Sequence, residues 1–211
     1  SGVPLRVGIP DNSKRWRPEY PYLYNLKFEL LENDKVIDKV KSYAGLRKFH
    51  IENNKFFLNN KPVFLRFVLD QGFYPEGIWT APSDKELKAD IERSMAVGFN
   101  GARLHQKVFE ERFHYWADKL GYLTWGEFYD WEIKAENHQG MSNLKREWYE
   151  VVLRDINYPS IIAWTPYNER ADANVELNGV VVKETADITR ALDPTRPVND
   201  ASGYVHVATD I

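Results

Sequence analysis

Four places in this chain set polar, chemically capable side chains at the ends of short apolar runs. Asp70 and Gln71 follow VFLRFVL, Arg103 and His105 close FNGARLH, Glu127 and Asp130 close and follow YLTWGEF, and Asn168 and Glu169 follow SIIAWTPY. Carboxylates, a guanidinium and an imidazole are the groups that move protons, orient hydrogen-bonding ligands and steady developing charge. Gathering them on an apolar scaffold is costly unless they pair with one another or meet a polar ligand. A polyhydroxylated ligand is one good reason to keep them.

Each residue also has a plainer explanation. An Asn-Glu pair arises by chance about once in a chain this long, so position carries the weight rather than the dipeptide itself. Arg103 suits a structural charge paired with Glu127 or Glu169, and that role can coexist with one in a site. His105 suits an orienting hydrogen-bond partner better than a metal ligand, because the five histidines are scattered and no HExxH spacing occurs. No metal and no cofactor are expected. Trp125 and Trp164 fall inside apolar runs and suit packing, whereas Trp131, just past one, is the better ring for stacking on a sugar.

The elements that must position these groups are legible from periodicity. From Tyr22 to about Leu58 the chain alternates short β-prone runs with polar turns, which predicts antiparallel strands, with Asn33-Asp34 as one hairpin turn and Asn59-Asn60 as another. After Pro62 apolar strand-like runs alternate with stretches whose apolar residues recur at three and four, the pattern of a parallel βα array starting near Val63. Ser83 and Glu86 suit a capping box ahead of the Leu87, Ile91 and Met95 stripe, with Gly98 as its stop. Phe109, Phe113, Trp116 and Leu120 form the next stripe, ended by Gly121. Leu144, Trp148, Val152 and Ile156 form a third, stopped at Tyr158-Pro159, and Val181, Ile188 and Leu192 mark a fourth, with RPVNDAS as a fifth strand or its start. Five strands amount to a little over half of a (β/α)8 barrel, which needs about 250 residues, and in such arrays function gathers beyond the carboxyl ends of the strands. No Gly-rich phosphate loop follows any strand, which argues against a nucleotide-binding open sheet.

Composition narrows the classes further. The 211 residues carry a net charge of −3 and no basic run, so nucleic acid is not an expected partner. The absence of cysteine excludes disulfides, thiolate metal sites and thiol catalysis. No apolar stretch reaches the roughly 20 residues that cross a bilayer, so a soluble protein is expected, with cytoplasm, periplasm and secretion all open.

These segments together resemble family 2 glycoside hydrolases, the group of β-galactosidases, β-glucuronidases and β-mannosidases. SIIAWTPYNER resembles the stretch that holds the family's acid/base, and FFLNNKPVFLRFVLDQGFYPEG its hairpin and first barrel strand. GFNGARLHQKVFEERFHYWADKLGYLTWGEF is similar to the region of the second and third strands, and LDPTRPVNDASG to the fifth. RPEYPYLY and the strands after it resemble the end of the immunoglobulin-like domain that precedes the barrel.

The resemblance implies an α/β chain in which residues 1–50 end an immunoglobulin-like β-sandwich and residues 51–211 begin a TIM barrel of about five strands. It implies hydrolysis of β-linked glycosides by a retaining two-carboxylate mechanism, with Glu169 as acid/base. Asn168 would hold the sugar 2-hydroxyl, Arg103 would stand near the nucleophile, and Asp70, His105 and Glu127 would line the sugar subsite. The family's nucleophile is a Glu on the seventh strand, beyond Ile211, so the piece alone is expected to be inactive. The LDQG and HQK wording departs from the better-known β-galactosidase pattern, which leaves the sugar open. Open sheet edges recruit other chains, so self-association is also expected. The competing expectation is a non-catalytic carbohydrate-binding or scaffold module.

Overall fold

A computed structural model describes residues 8–9, 13–131, 133–170, 175–204 and 206–211. The chain opens with an antiparallel hairpin, β1 (Tyr24–Glu32) and β2 (Lys35–Ala44). Its turn residues Asn33 and Asp34 have φ of 49° and 63°, the paired left-handed geometry whose twist matches the flanking strands. A three-stranded meander follows, made of β3 (Phe49–Glu52), β4 (Lys55–Leu58) and β5 (Lys61–Pro62). Its turns are built the same way: Asn59-Asn60, as expected, and Asn53-Asn54, which the sequence reading passed over.

Next come β6 (Phe67–Asp70), α1 (Asp84–Ala96), β7 (Gly101–Leu104), α2 (Glu111–Leu120), β8 (Leu123–Glu127), α3 (His138–Asp155), β9 (Ile161–Thr165) and α4 (Val175–Leu192). The sheet is parallel in the order β6-β7-β8-β9, so every strand lies beside its sequence neighbour, as one sector of a barrel requires. The Ser83 hydroxyl caps α1 by accepting from the Glu86 amide, and Gly121 ends α2 in left-handed geometry at φ 78°.

Two details differ from expectation. The first parallel strand begins at Phe67, four residues after Val63, because the Val63 amide is still tied to the meander through Phe56 O. Among the described residues the fifth strand takes the form of two parallel bridges, Trp164 to Val198 and Asn168 to Ser202. Pro197 has no N–H to give a ladder, and the Asp200 carboxylate accepts from the amides of Ala201, Val207 and Ala208, which curls the chain into a loop instead.

Three apolar clusters hold these elements. Leu87, Ile91, Ala102, Leu104 and Phe113 join α1 and α2 to the outer face of the sheet. Leu144, Trp148, Val152, Trp164 and Val182 do so for α3 and α4, with Trp148 and Trp164 edge to face at 5.7 Å. At the amino ends of the strands Trp16, Phe49, Leu58, Leu123 and Ile162 form a floor, which the meander closes from below. A packed floor and packed flanks leave the carboxyl ends as the side on which polar groups converge.

Candidate active site

Arg103 is the third residue of β7 and opposes Trp125 in the register. Ala102 and Leu104, its neighbours, pack outward against the helices, so the alternation of a strand turns Arg103 inward. Its guanidinium is a hub. Nε donates to Glu127 Oε2 in a short contact, Nη1 donates to Ser202 Oγ at 2.7 Å, and Nη2 donates to Asn168 Oδ1 at 2.6 Å. One planar fork thereby ties β7 to the ends of β8, β9 and the fifth-strand segment.

Glu127, the last residue of β8, has a side chain with no solvent exposure. It also accepts from His105 Nδ1 at 2.8 Å and from the Gln106 amide at 3.3 Å. With its oxygens committed to three donors, Glu127 is a girder beneath the site rather than a surface that meets a ligand. Its demand fixes the imidazole as well. A carboxylate partner puts a proton on Nδ1, so the 3.4 Å approach of Arg103 Nη2 to Nδ1 is proximity, not a bond.

Asn168 is held at both ends. Arg103 takes its side-chain oxygen, and its backbone amide donates to Asp130 Oδ1 at 3.2 Å. Asp130 exchanges two further bonds with Gln106 and faces Arg170 at 3.7 Å. Burial pushes the Asp130 carboxyl up to about 6, against the pull of the Asn168 amide, Arg170 and Gln106. Because Oδ1 of Asn168 already accepts, the amide nitrogen is the end left to donate, and among the described residues it has no partner.

Glu169 stands four residues past β9 and is exposed. Its φ is +49°, a left-handed conformation that costs a non-glycine residue about 1 kcal/mol. Two bonds to the fifth-strand segment hold it there: the Glu169 amide donates to Ser202 O at 2.7 Å, and the Ser202 amide donates to Tyr167 O at 3.0 Å. Among the described residues no hydrogen bond or ion pair engages its carboxylate, in contrast with Glu127 and Asp130. Backbone strain kept in place by surrounding structure, under an uncommitted acid, is the arrangement that functional sites accumulate.

The structure thus brings Arg103, His105, Glu127 and Asn168 into one network and sets Glu169 at its margin. Asp70 is not part of it. Val68, two residues earlier on β6, packs with Leu87 and Ile91, so Asp70 shares that outward face. Its carboxylate accepts from the Gly72 amide at 2.8 Å, and burial beside Asp90 and Glu110 raises its pKa. Trp131 is 66% exposed on the loop after β8, with its ring free to meet a ligand. Trp125, on the inner face, donates from Nε1 to Thr165 Oγ1 at 2.7 Å. Ser202, Gln106 and Arg170 also belong to the network, beyond the residues that the sequence singles out. Ser202 had a usable signal, since it ends the segment expected to be the fifth strand. Among the described residues no three potential metal ligands converge.

Comparison with known proteins identifies the family and the fold. Residues 6–47 match the profile described as "Glycosyl hydrolases family 2", and residues 49–210 match "Glycosyl hydrolases family 2, TIM barrel domain". A β-galactosidase of Thermoanaerobacter pseudethanolicus is 30% identical, over 89% of this chain and 25% of its own length. A β-glucuronidase of Bacteroides fragilis is 29% identical, over 95% of this chain and 29% of its own. The crystal structure of a family 2 member from Bacteroides cellulosilyticus superposes with a TM-score of 0.77 at 28% identity, covering 93% of this chain and 27% of that one. The chain therefore spans about a fifth to a quarter of the length of the curated relatives it matches. The parallel sheet with its strand-end network and the match across its whole span lead to one conclusion: this chain belongs to the family 2 glycosyl hydrolases.

Proposed function

We propose that these residues form one wall of the active site of a retaining β-glycosidase, with Glu169 as general acid/base. The observation that carries this is the contrast among the site's carboxylates. Among the described residues, Glu127 and Asp130 are sealed into the network, while Glu169 is exposed and unengaged, one residue from an amide whose free end is a donor.

In the proposed reaction a second carboxylate, contributed from outside these 211 residues, attacks the anomeric carbon. It would have to lie about 5–5.5 Å from Glu169. As the glycosidic bond breaks, Glu169 gives its proton to the departing oxygen. It then takes a proton from the water that attacks the glycosyl-enzyme bond, so sugar and leaving group depart and both carboxylates return to their starting state. The Asn168 amide donates to a hydroxyl of the bound sugar, the 2-hydroxyl by family analogy, and Trp131 offers a stacking face. Arg103 positions Asn168 and places positive charge beside the incoming nucleophile. The β1–β2 hairpin, with Leu30, Leu31, Ile37 and Val40 more than half exposed, belongs with further strands of a sandwich domain.

Azide tests the assignment of Glu169. In the complete enzyme Glu169→Ala should hydrolyse an activated aryl β-glycoside slowly, and azide, which needs no general base, should accelerate turnover and yield the β-glycosyl azide. Failure of azide to restore turnover, or an α-configured azide, contradicts the reading.

A further inference from the structure

The loop after β6 exposes two rings on the rim that carries the network. Phe73 is 56% exposed and Trp79 50% exposed, edge to face with centroids 4.9 Å apart. This loop is built for rigidity. Ile78 holds φ +56°, a strained conformation for a β-branched residue, and reciprocal backbone bonds of 3.0 and 2.8 Å lock it to Tyr74. Gly77 cannot be replaced there, since a Cβ would lie 1.8 Å from Thr80 O. Beneath the loop Lys107, only 3% exposed, donates from Nζ to Gly72 O at 3.0 Å and to Trp79 O at 2.8 Å. Glu110 balances its charge at 3.6 Å.

Lys107 lies two residues after His105, so one short segment, residues 103–107, fixes both the Arg103 network and the ring-bearing loop. Burying an ammonium to pin two carbonyls, and straining Ile78 above it, is a high cost for a loop that only connects. The neighbours of the rings define what they suit. Gln71, Glu76 and Thr80 are exposed around them, giving apolar faces rimmed by hydrogen-bonding groups. A pyranose matches that mixture: its C–H face carries positive partial charge that complements the negative ring face, and its hydroxyls meet the polar rim.

Resting on the glycosidase reading, we propose that Phe73 and Trp79 form a second sugar subsite, which makes a β-linked oligosaccharide rather than a simple monoglycoside the substrate class. The test uses the full-length enzyme with Glu169→Gln to block turnover. Calorimetry compares a β-linked galacto-tetrasaccharide, methyl β-galactoside and the cleavage-resistant p-nitrophenyl 1-thio-β-galactoside, with the glucuronic acid and mannose counterparts run in parallel. In Trp79→Ala the affinity ratio of tetrasaccharide to methyl glycoside should fall about tenfold, the factor that one stacked ring supplies, and Trp79→Tyr should retain most of the ratio. An unchanged ratio in both Trp79→Ala and Phe73→Ala overturns the subsite. A loss confined to the p-nitrophenyl glycoside overturns it in favour of an aryl site. Absence of binding by all the sugars before either ring is altered overturns the glycosidase reading and the subsite with it.

Discussion

Arg103 Nη2 donates to Asn168 Oδ1 at 2.6 Å, across 65 residues of sequence, and so decides which end of that amide faces the site. Reversal of the amide would set two donors against each other, so Asn168 is locked as a donor toward any ligand. Arg103 answers at the same time to Glu127 and Ser202, and its position depends on three strands at once.

Replacing Arg103 should therefore damage stability and function together. Arg103→Met leaves the buried Glu127 with only His105 and the Gln106 amide, and the loss of one partner of a buried pair costs about 3–5 kcal/mol. Urea unfolding should show the loss directly. Arg103→Lys should retain more stability yet release Asn168, because an ammonium does not reproduce a planar fork.

Asn168→Asp separates fold from chemistry. The aspartate still accepts from Arg103, so the thermal midpoint should change little, but the donor to the sugar is gone. In the complete enzyme the preference for a glycoside over its 2-deoxy analogue should collapse by roughly 10–100-fold, the worth of a strong hydrogen bond in a closed site. A preference that survives intact contradicts the role given to Asn168.

Gly126→Ala should disturb the site from behind. A Cβ there would lie 2.5 Å from the Trp164 ring, and Trp164 is packed against Trp148 with its Nε1 bonded to Asp193. Overpacking of this kind costs about 1–3 kcal/mol. Because Glu127 is the next residue, its bond to Arg103 should loosen as well, visible as a lower chemical stability and a fall in activity.

Far from the site, Asp118 links the hairpin to the barrel floor. It accepts from Tyr43 Oη at 2.9 Å and from the Ser160 amide at 2.8 Å, and burial pushes its carboxyl up to about 7. The folded state therefore binds this proton more tightly than the unfolded state does. Its contribution to stability is complete below the ordinary carboxylate range and is lost as pH rises toward 7, on the order of 1 kcal/mol per pH unit. Asp118→Asn should remove that slope, so the variant gains on the parent between pH 4 and pH 7 in urea titrations. A parallel pH dependence in the two proteins contradicts this.

How far the sequence reached follows from which forces are local. Ser83, Gly98 and Gly121 mark helix ends through capping and left-handed geometry, which depend on a few adjacent residues, and α1 and α2 lie where those signals put them. The alternation of apolar runs and stripes likewise announced the parallel array. Non-local facts were out of reach. Whether Asp70 faces the bowl or the helices turns on which face of β6 meets α1, and the packing of Val68 on Leu87 and Ile91 exists only once the helix has docked. The burial of Glu127 depends on Arg103 and His105 arriving from the neighbouring strand. Ser202 reaches Arg103 across 99 residues, and the fifth strand dissolves into bridges because Asp200 captures amides that follow it.

The central claim is that Glu169 delivers a proton to the leaving group, and the most direct measurement is leaving-group dependence in the complete enzyme carrying Glu169→Gln. Leaving groups that need no proton, such as dinitrophenolate, should keep the rate of glycosyl-enzyme formation within about tenfold of the parent, while alkoxide leaving groups should lose the full worth of general acid catalysis, about 100- to 10,000-fold. An equal loss for both classes, or full activity toward alkyl glycosides, would contradict it.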